Sequence, residues 1–316
     1  MAKTKEISRR IKSISNTKKI TKAMEMVAAA KMRKATEAVL KTRTYANLSW
    51  ETILHLADLS QSRSEPLHAL LSQRKETKKV AVILITSNRG LCGGFNAVII
   101  NKVKESIRKH NIPTDLILVG KKGEILHHQG YNIAAEFPKA ELVNSVRETN
   151  PIARMAIGDF LNGKYDRIFL AYTDFVTPVK QIARVKQLLP VSIGAEGEYL
   201  GVVGGDAAVG ANKDYIEEKA KKHLRSEEFV YEYTFEPSPN EVLDRIIPKL
   251  IEVQLYQALL ESNASEHSAR MTSMHQATEA ASDMVSELTL FYNKARQAAI
   301  TSEIAEISAG ANALAE

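Results

Sequence analysis

The sequence is short of the residues that lock or interrupt a chain. It holds one cysteine, Cys92, so no disulfide can form within it, which fits a reducing compartment. Aromatic residues make up 6% and Trp50 is the single tryptophan, so long helices built on small and aliphatic side chains are expected rather than a core that leans on aromatic area. Glycine and proline number 15 and 9 in 316 residues, too few for a disordered tract in a chain that is 44% hydrophobic. No apolar run approaches the roughly 18–20 residues that span a bilayer. The longest, Val80 to Ile85, has strand length, and no secretory signal stands ahead of it. Neither a paired-carboxylate nor a Ser-His-Asp arrangement stands out, so the residues by themselves name no enzyme.

Charge is unevenly spread. Residues 1–50 carry 13 lysines and arginines against 3 glutamates, a net +10 in a chain whose total is +6, which leaves −4 for the rest. A basic, acid-poor start of this kind reads as a solvated helix face, a contact for an acidic protein, a nucleic-acid surface or a transit peptide. It has no aromatic interleaving and no recognition fold.

The first proline is Pro66 and the first glycine Gly90, so nothing before residue 66 must break a helix. Apolar residues at Ile7, Ile11, Ile14, Ile20, Met24, Val27, Met32, Ala35 and Val39 step mainly by three and four, as one face of a helix does. Some 55 helical residues would be about 80 Å long and would need a partner. The other end supplies one. After Pro248 there is no proline, and no glycine until Gly310. A 3-4 alternation runs through Met271, Met274, Thr278, Ala281, Val285, Leu288, Tyr292, Ala295 and Ala299, then slips by one residue to Ile300, Ile304, Ile307, Ala311 and Leu314. An antiparallel two-helix coiled coil made from the N- and C-terminal ends is therefore expected.

The middle reads as α/β. Val80–Ile85, Leu116–Val119 and Arg167–Tyr172 read as strands; Asn96–His110, Asn150–Leu161 and, less regularly, Ile125–Gln129 read as helices. Their alternation implies a mostly parallel, Rossmann-like sheet inserted between the two rods. Residues 191–226 are punctured by six glycines and read as a surface insertion with a charged helical piece, Glu217–Arg225; Phe229–Phe235 reads as an edge strand. The expected divisions are 1–65, 66–240 and 241–316.

The motif most suggestive of chemistry is Thr86-Ser87-Asn88-Arg89-Gly90-Leu91-Cys92-Gly93-Gly94-Phe95-Asn96, a Gly-rich turn between strand and helix where phosphate loops sit. It lacks the Gly-Lys-Ser/Thr ending of a P-loop and the spacing of a dinucleotide fingerprint, so a tight packing turn is the competing reading. Cys92 beside the helix start has no His or acid placed by sequence to activate it. Adjacent His127 and His128 point apart on a helix, and His267 with His275 are spaced for a helix face rather than a metal.

Four blocks carry a resemblance. Lys18-Lys19-Ile20-Thr21-Lys22-Ala23-Met24-Glu25-Met26-Val27-Ala28-Ala29, the Gly-rich turn Ser87–Asn96, Ala264-Ser265-Glu266-His267-Ser268-Ala269-Arg270-Met271, and Tyr292-Asn293-Lys294-Ala295-Arg296-Gln297-Ala298-Ala299-Ile300-Thr301-Ser302-Glu303-Ile304 occur in the order seen in the gamma subunits of F-type ATP synthases, which the chain resembles from residue 5 to about 310. The resemblance implies a non-catalytic rotor shaft without cofactor or metal, present once per complex. Its partners would be alpha and beta subunits around the coiled coil, with the epsilon subunit and a membrane c ring at the foot, and no nucleic acid. By motif it implies Met24, Arg270, Gln297, Thr301 and Glu303 as contacts to the alpha and beta subunits, and Tyr233 and Glu236 as contacts to the c ring. Because the family motif begins inside the basic N-terminal segment, a bacterial cytoplasmic membrane face, or a thylakoid one, is expected over an organelle reached by a transit peptide. The stretch between Leu189-Pro190 and Phe235-Glu236-Pro237 is longer than in typical bacterial relatives. Some photosynthetic relatives carry a regulatory insertion there, with a cysteine pair in chloroplasts; Cys92 alone excludes a thiol switch within this chain. The rival readings are a nucleotide-binding α/β protein using the Gly-rich turn and a free-standing coiled-coil adaptor.

Overall fold

The computed structural model describes residues 2–61, 68–72, 74, 76–141, 145–191 and 239–315. Two long helices dominate: α1 (Ala2–Gln61) and α4 (Pro239–Ala315). Pro248 lies inside α4 near its start, where it removes one ladder hydrogen bond without ending the helix. Between them come β1 (Val80–Ile85), α2 (Phe95–His110), β2 (Thr114–Val119), β3 (Asn132–Phe137), α3 (Asn150–Leu161), β4 (Arg167–Phe175) and β5 (Gln181–Leu189). The insertion after Val191, the Phe229–Phe235 segment, and with it Tyr233 and Glu236, lie outside the described residues. Residue contacts divide the chain into two compact units, each holding a stretch of both long helices: Met1–Ala29 with Arg270–Glu316, and Ala30–Ala269.

In the larger unit the strands run in the order β3-β2-β1-β4-β5, parallel except for β4 with β5. The expected mostly parallel sheet is thus present. Two of its strands carry no continuous apolar run. β3 is short and rich in alanine, and β5 alternates polar with apolar residues because it pairs antiparallel at an edge. The Ile125–Gln129 helix is observed as one 3-10 segment from Lys121 to Gln129, on which the His127 and His128 rings are exposed and lie nearly perpendicular.

The period-2 geometry of β1 sorts its side chains between two cores. Val80, Val82 and Leu84 meet Ile99, Ile100 and Val103 of α2. Ala81, Ile83 and Ile85 face a larger core shared by Ile152, Ala156 and Phe160 of α3 and by Leu243, Ile247, Ile251, Leu255 and Leu259 of α4. Helices thus cover both faces of the sheet, and α4 serves as one of its packing layers. The connection after β2 needs Gly120, whose φ is +101°; a Cβ there would stand 2.4 Å from the carbonyl oxygen of Thr86.

Within this unit α1 and α4 are also joined directly. Gln254 donates to the carbonyl of Ala46 at 2.9 Å, and Thr42 donates to Gln257 at 2.7 Å. As the residue number rises on one helix it falls on the other, the mark of an antiparallel pair. A 3-4 step on α1 runs through Met32, Ala35, Val39, Thr42, Ala46 and Ser49, all buried or half-buried, with Arg43 buried beside it.

Candidate functional site

The smaller unit contains five of the residues singled out by motif: Met24 on α1, and Arg270, Gln297, Thr301 and Glu303 on α4. Its helix pair is antiparallel and is held by a polar seam. Lys18 Nζ donates to Ser282 Oγ at 2.9 Å, Thr278 Oγ1 donates to Thr21 Oγ1 at 2.8 Å, and His275 Nδ1 lies 3.3 Å from Glu25 Oε1. The Lys22 ammonium beside Glu25, with His275 assisting, holds that carboxyl below the usual range. Ser15, Lys18, Lys19 and Lys22 of α1 line an open groove of about 640 Å³ together with His275, Thr278, Glu279 and Ser282 of α4.

The 3-4 step on α1 runs without a break through Ile7, Ile11, Ile14, Lys18, Thr21, Glu25 and Ala28, all buried or half-buried. It therefore passes through Thr21 and Ala28 rather than through Ile20 and Val27, which are 60% and 56% exposed. A stripe drawn through apolar residues alone drifts off the seam here, because polar side chains occupy the packing positions. On α4 the expected seam holds: Met274 and Ala281 are buried, and Met271, Thr278, Val285, Leu288, Tyr292, Ala295 and Ala299 are half-buried. Extending the observed register brings α1 to its first turn near Ile300. From Thr301 to Ala309 every residue of α4 is exposed. The phase slip after Ala299 thus coincides with the place where the partner helix runs out. Ile300, Ile304 and Ile307 are 48%, 62% and 72% exposed.

Gln297 and Thr301 stand one turn apart on this outward face, Thr301 donating to the carbonyl of Gln297 at 2.9 Å. At about 100° per residue Ile304 continues the same column, Ile300 and Ile307 border it on one side, and Glu303 lies beyond them, more than about 90° around the helix from the column. Met24 and Arg270 are half-buried, near the level of the Glu25–His275 contact rather than with the C-terminal group. The structure therefore brings Gln297 and Thr301 together and leaves Met24 and Arg270 farther along the helix pair.

A family profile described as ATP synthase matches residues 3–314. The ATP synthase gamma chain of Pelotomaculum thermopropionicum is 42% identical over 315 residues, covering 99% of this chain and 100% of that relative. The chain belongs to the ATP synthase gamma family. A second gamma chain, from Dehalococcoides mccartyi, is 40% identical over 316 residues and matches over the full length of both. Among solved structures the fold resembles the central stalk and c-ring structure of the Tetrahymena thermophila mitochondrial ATP synthase, with a TM-score of 0.57 at 24% identity over 82% of this chain and 99% of that one. It also resembles the Euglena gracilis mitochondrial ATP synthase rotor, with a TM-score of 0.58 at 17% identity over 95% and 99%. No described helix is long and apolar enough to cross a membrane.

The Gly-rich turn, which lies in the larger unit, spends its polar groups on itself and its neighbours. Asn96 Oδ1 accepts from the Ser87 amide at 2.9 Å, Asn96 Nδ2 donates to Ser87 Oγ at 2.7 Å and contacts Cys92 Sγ at 3.3 Å, and Ser87 Oγ donates to the Arg89 carbonyl. Leu91 and Gly93 have positive φ, and Cys92 is buried beneath them. Asn88 donates to the carbonyl of Lys139 at 2.7 Å, and Lys139 Nζ reaches Glu266 of α4 at 2.7 Å while lying 5.5 Å over the Phe95 ring. The turn is a joint that fastens the sheet to the long helix. The Ser-Asn spacing of nine residues that closes it carries no general sequence signal, and neither do the hydroxyls and charges of the coil seam once apolar periodicity is the criterion.

Proposed function

We propose that this chain is the central shaft of a rotary, proton-transporting F-type ATP synthase. It turns inside a ring of alpha and beta subunits and rests on a membrane ring of c subunits beside the epsilon subunit, one copy per complex. It carries no catalytic residue of its own; rotation is converted to ATP synthesis or hydrolysis at the alpha/beta sites. The observation that supports this reading most directly is the C-terminal stretch of α4. Ile300, Ile304 and Ile307 stand exposed where the partner helix has ended, which calls for a surrounding surface. Family membership supplies a ring as that surface.

Gln297, Thr301 and Glu303 at this end, with Met24 and Arg270 lower on the pair, are the contacts that push each beta subunit in turn. Moving a site between 1:99 and 99:1 takes about 5.5 kcal/mol of differential contact, within reach of a few polar groups that meet the ring on one side only. Tyr233 and Glu236 contact the c ring. The chain is a peripheral member of a membrane complex, on the cytoplasmic face of a bacterial inner membrane or a thylakoid membrane.

The test is reconstitution. Added to purified alpha and beta subunits, the chain should yield one complex with threefold excess of each, active as an ATPase where the isolated chain is inert. Gln297→Ala and Thr301→Ala should lower coupled ATP synthesis severalfold in membrane vesicles. Unchanged synthesis in both variants would remove those residues from the contact set, and failure to assemble would remove the shaft reading itself.

A further inference from the structure

The larger unit buries a cluster of charges that the shaft role does not use. On the sheet face packed by the long helices, Tyr172 and Asp174 of β4 and Arg184 and Lys186 of β5 are all buried, and the antiparallel register sets Tyr172 opposite Arg184. Arg43 of α1 and Gln257 and Glu261 of α4 meet them there, Asp174 and Glu261 having no exposed surface at all. Arg184 Nε holds Asp174 Oδ2 at 2.8 Å. Arg43 Nη2 lies 3.3 Å from Glu261 Oε1 and the same distance from the carbonyl of Phe175, and Gln257 donates to Glu261 Oε1 at 2.8 Å. Among the described residues the second oxygens, Glu261 Oε2 and Asp174 Oδ1, receive no donor, and the Tyr172 hydroxyl has no hydrogen-bond partner.

Arg43 ties Glu261 to the carbonyl of Phe175, the residue next to Asp174, which sets the two buried carboxyl groups close enough to repel. Two ionised carboxylates in that position would repel in a medium that screens poorly, and each would keep a buried acceptor unsatisfied. One proton between them removes both penalties. We propose that Glu261 and Asp174 share a proton, with Glu261 Oε2 as the donor and Asp174 Oδ1 as the acceptor, and that this proton latches α4 to the sheet. Burial comes first and the nearby Asp174 second in pushing the Glu261 carboxyl up to about 7, while Arg43 pulls the other way.

The sign follows from linkage. The folded state holds a proton that an unfolded glutamate releases near its ordinary value of 4.5, so this contribution is fully present below that pH. It is lost as pH rises from there to about 7 and stays lost above. One proton taken up on closing changes the opening equilibrium by up to about tenfold per pH unit within that window.

Hydrogen exchange of the α4 amides around Glu261, followed in the full chain within its assembled complex from pH 5 to 8 and corrected for intrinsic exchange, reads this directly. The wild type should open more readily as pH rises. Glu261→Gln, whose amide donates to Asp174 at every pH, should give a level profile and tighter closure than the wild type at pH 8. Parallel profiles, or a variant looser than the wild type at pH 8, would overturn the proposal. Infrared spectra of wild-type chain with labelled glutamate side chains give a second reading that needs no variant. A protonated carboxyl band present at pH 5.5 and gone by pH 8.5 supports the shared proton, and its absence at pH 5.5 refutes it.

Discussion

Two stretches of one helix invert the usual relation between composition and burial. From Val253 to Ser268 every residue of α4 is buried, yet nine of the sixteen are polar or charged. From Thr301 to Ala309 every residue is exposed, although Ile304 and Ile307 are among them. The inner stretch tolerates its polarity because most of its groups find partners, Glu261 Oε2 and Gln254 Oε1 excepted: Asn263 donates to Ala140, Ser265 to Thr173, Ser268 to Pro178, and Glu266 takes Lys139. The outer stretch exposes isoleucine because the covering helix has ended. Burial on a long helix is thus set by what surrounds each turn rather than by what the turn contains.

The sharpest way to break the contrast is to remove one member of a buried ion pair. Lys139→Ala takes away the cation 2.7 Å from the buried Glu266 carboxylate and should destabilise the larger unit by about 3–5 kcal/mol in urea unfolding, loosening the Gly-rich turn with it. A paired truncation compares the stretches on equal chemistry. Ile251→Ala, at a fully buried site of α4, should lose about 2–5 kcal/mol. Ile304→Ala should shift the same curve by no more than about 0.5 kcal/mol while weakening capture by alpha and beta subunits. Equal losses at the two sites would mean that the outer stretch is covered within the chain itself.

Acid titration sharpens the contrast in another way. Arg74 and the Lys78 and Lys79 amides hold the Asp166 carboxyl below its ordinary value of 3.8. A lowered folded value adds stability above the unfolded one and loses it as pH falls through the folded one, the reverse of Glu261. Asp166→Asn should therefore cost about 1–3 kcal/mol at pH 7 and little at pH 2, as measured by thermal unfolding across that range. A modest effect belongs to the coil seam of the smaller unit, where Thr278→Val removes the bond to Thr21 and should cost about 0.5–1.5 kcal/mol.

Much of this was legible from periodicity. The long helices followed from absent glycine and proline, and β1, β2 and β4 from apolar runs. Asn150–Leu161 is observed with the bounds its pattern suggested. β3 and β5 escaped because an alanine-rich strand and a half-polar edge strand carry no continuous apolar run. The α1 seam was misdrawn at Ile20 and Val27 because Lys18, Thr21 and Glu25 fill positions that packing usually gives to aliphatic residues. Gln297 and Thr301 are singled out by motif alone, since an exposed polar pair on a helix looks like any solvated face. The Glu261–Asp174 contact joins residues far apart in the chain, and nothing local in either segment announces it.

The antiparallel pairing also imposes an order in time. Lys18 and Ser282 are separated by 264 positions, and Thr21 and Thr278 by 257. A ribosome adding roughly 5–20 residues per second completes α1 some 10–50 seconds before its partner emerges. Through that interval the first helix has only its own hydrogen bonds to hold it, and the sheet between must form with its α4 layer still missing. The helix pair is the last part of the molecule able to assemble, so a nascent chain halted before α4 displays Ile7, Ile11 and Ile14 to whatever holds unfinished proteins in solution.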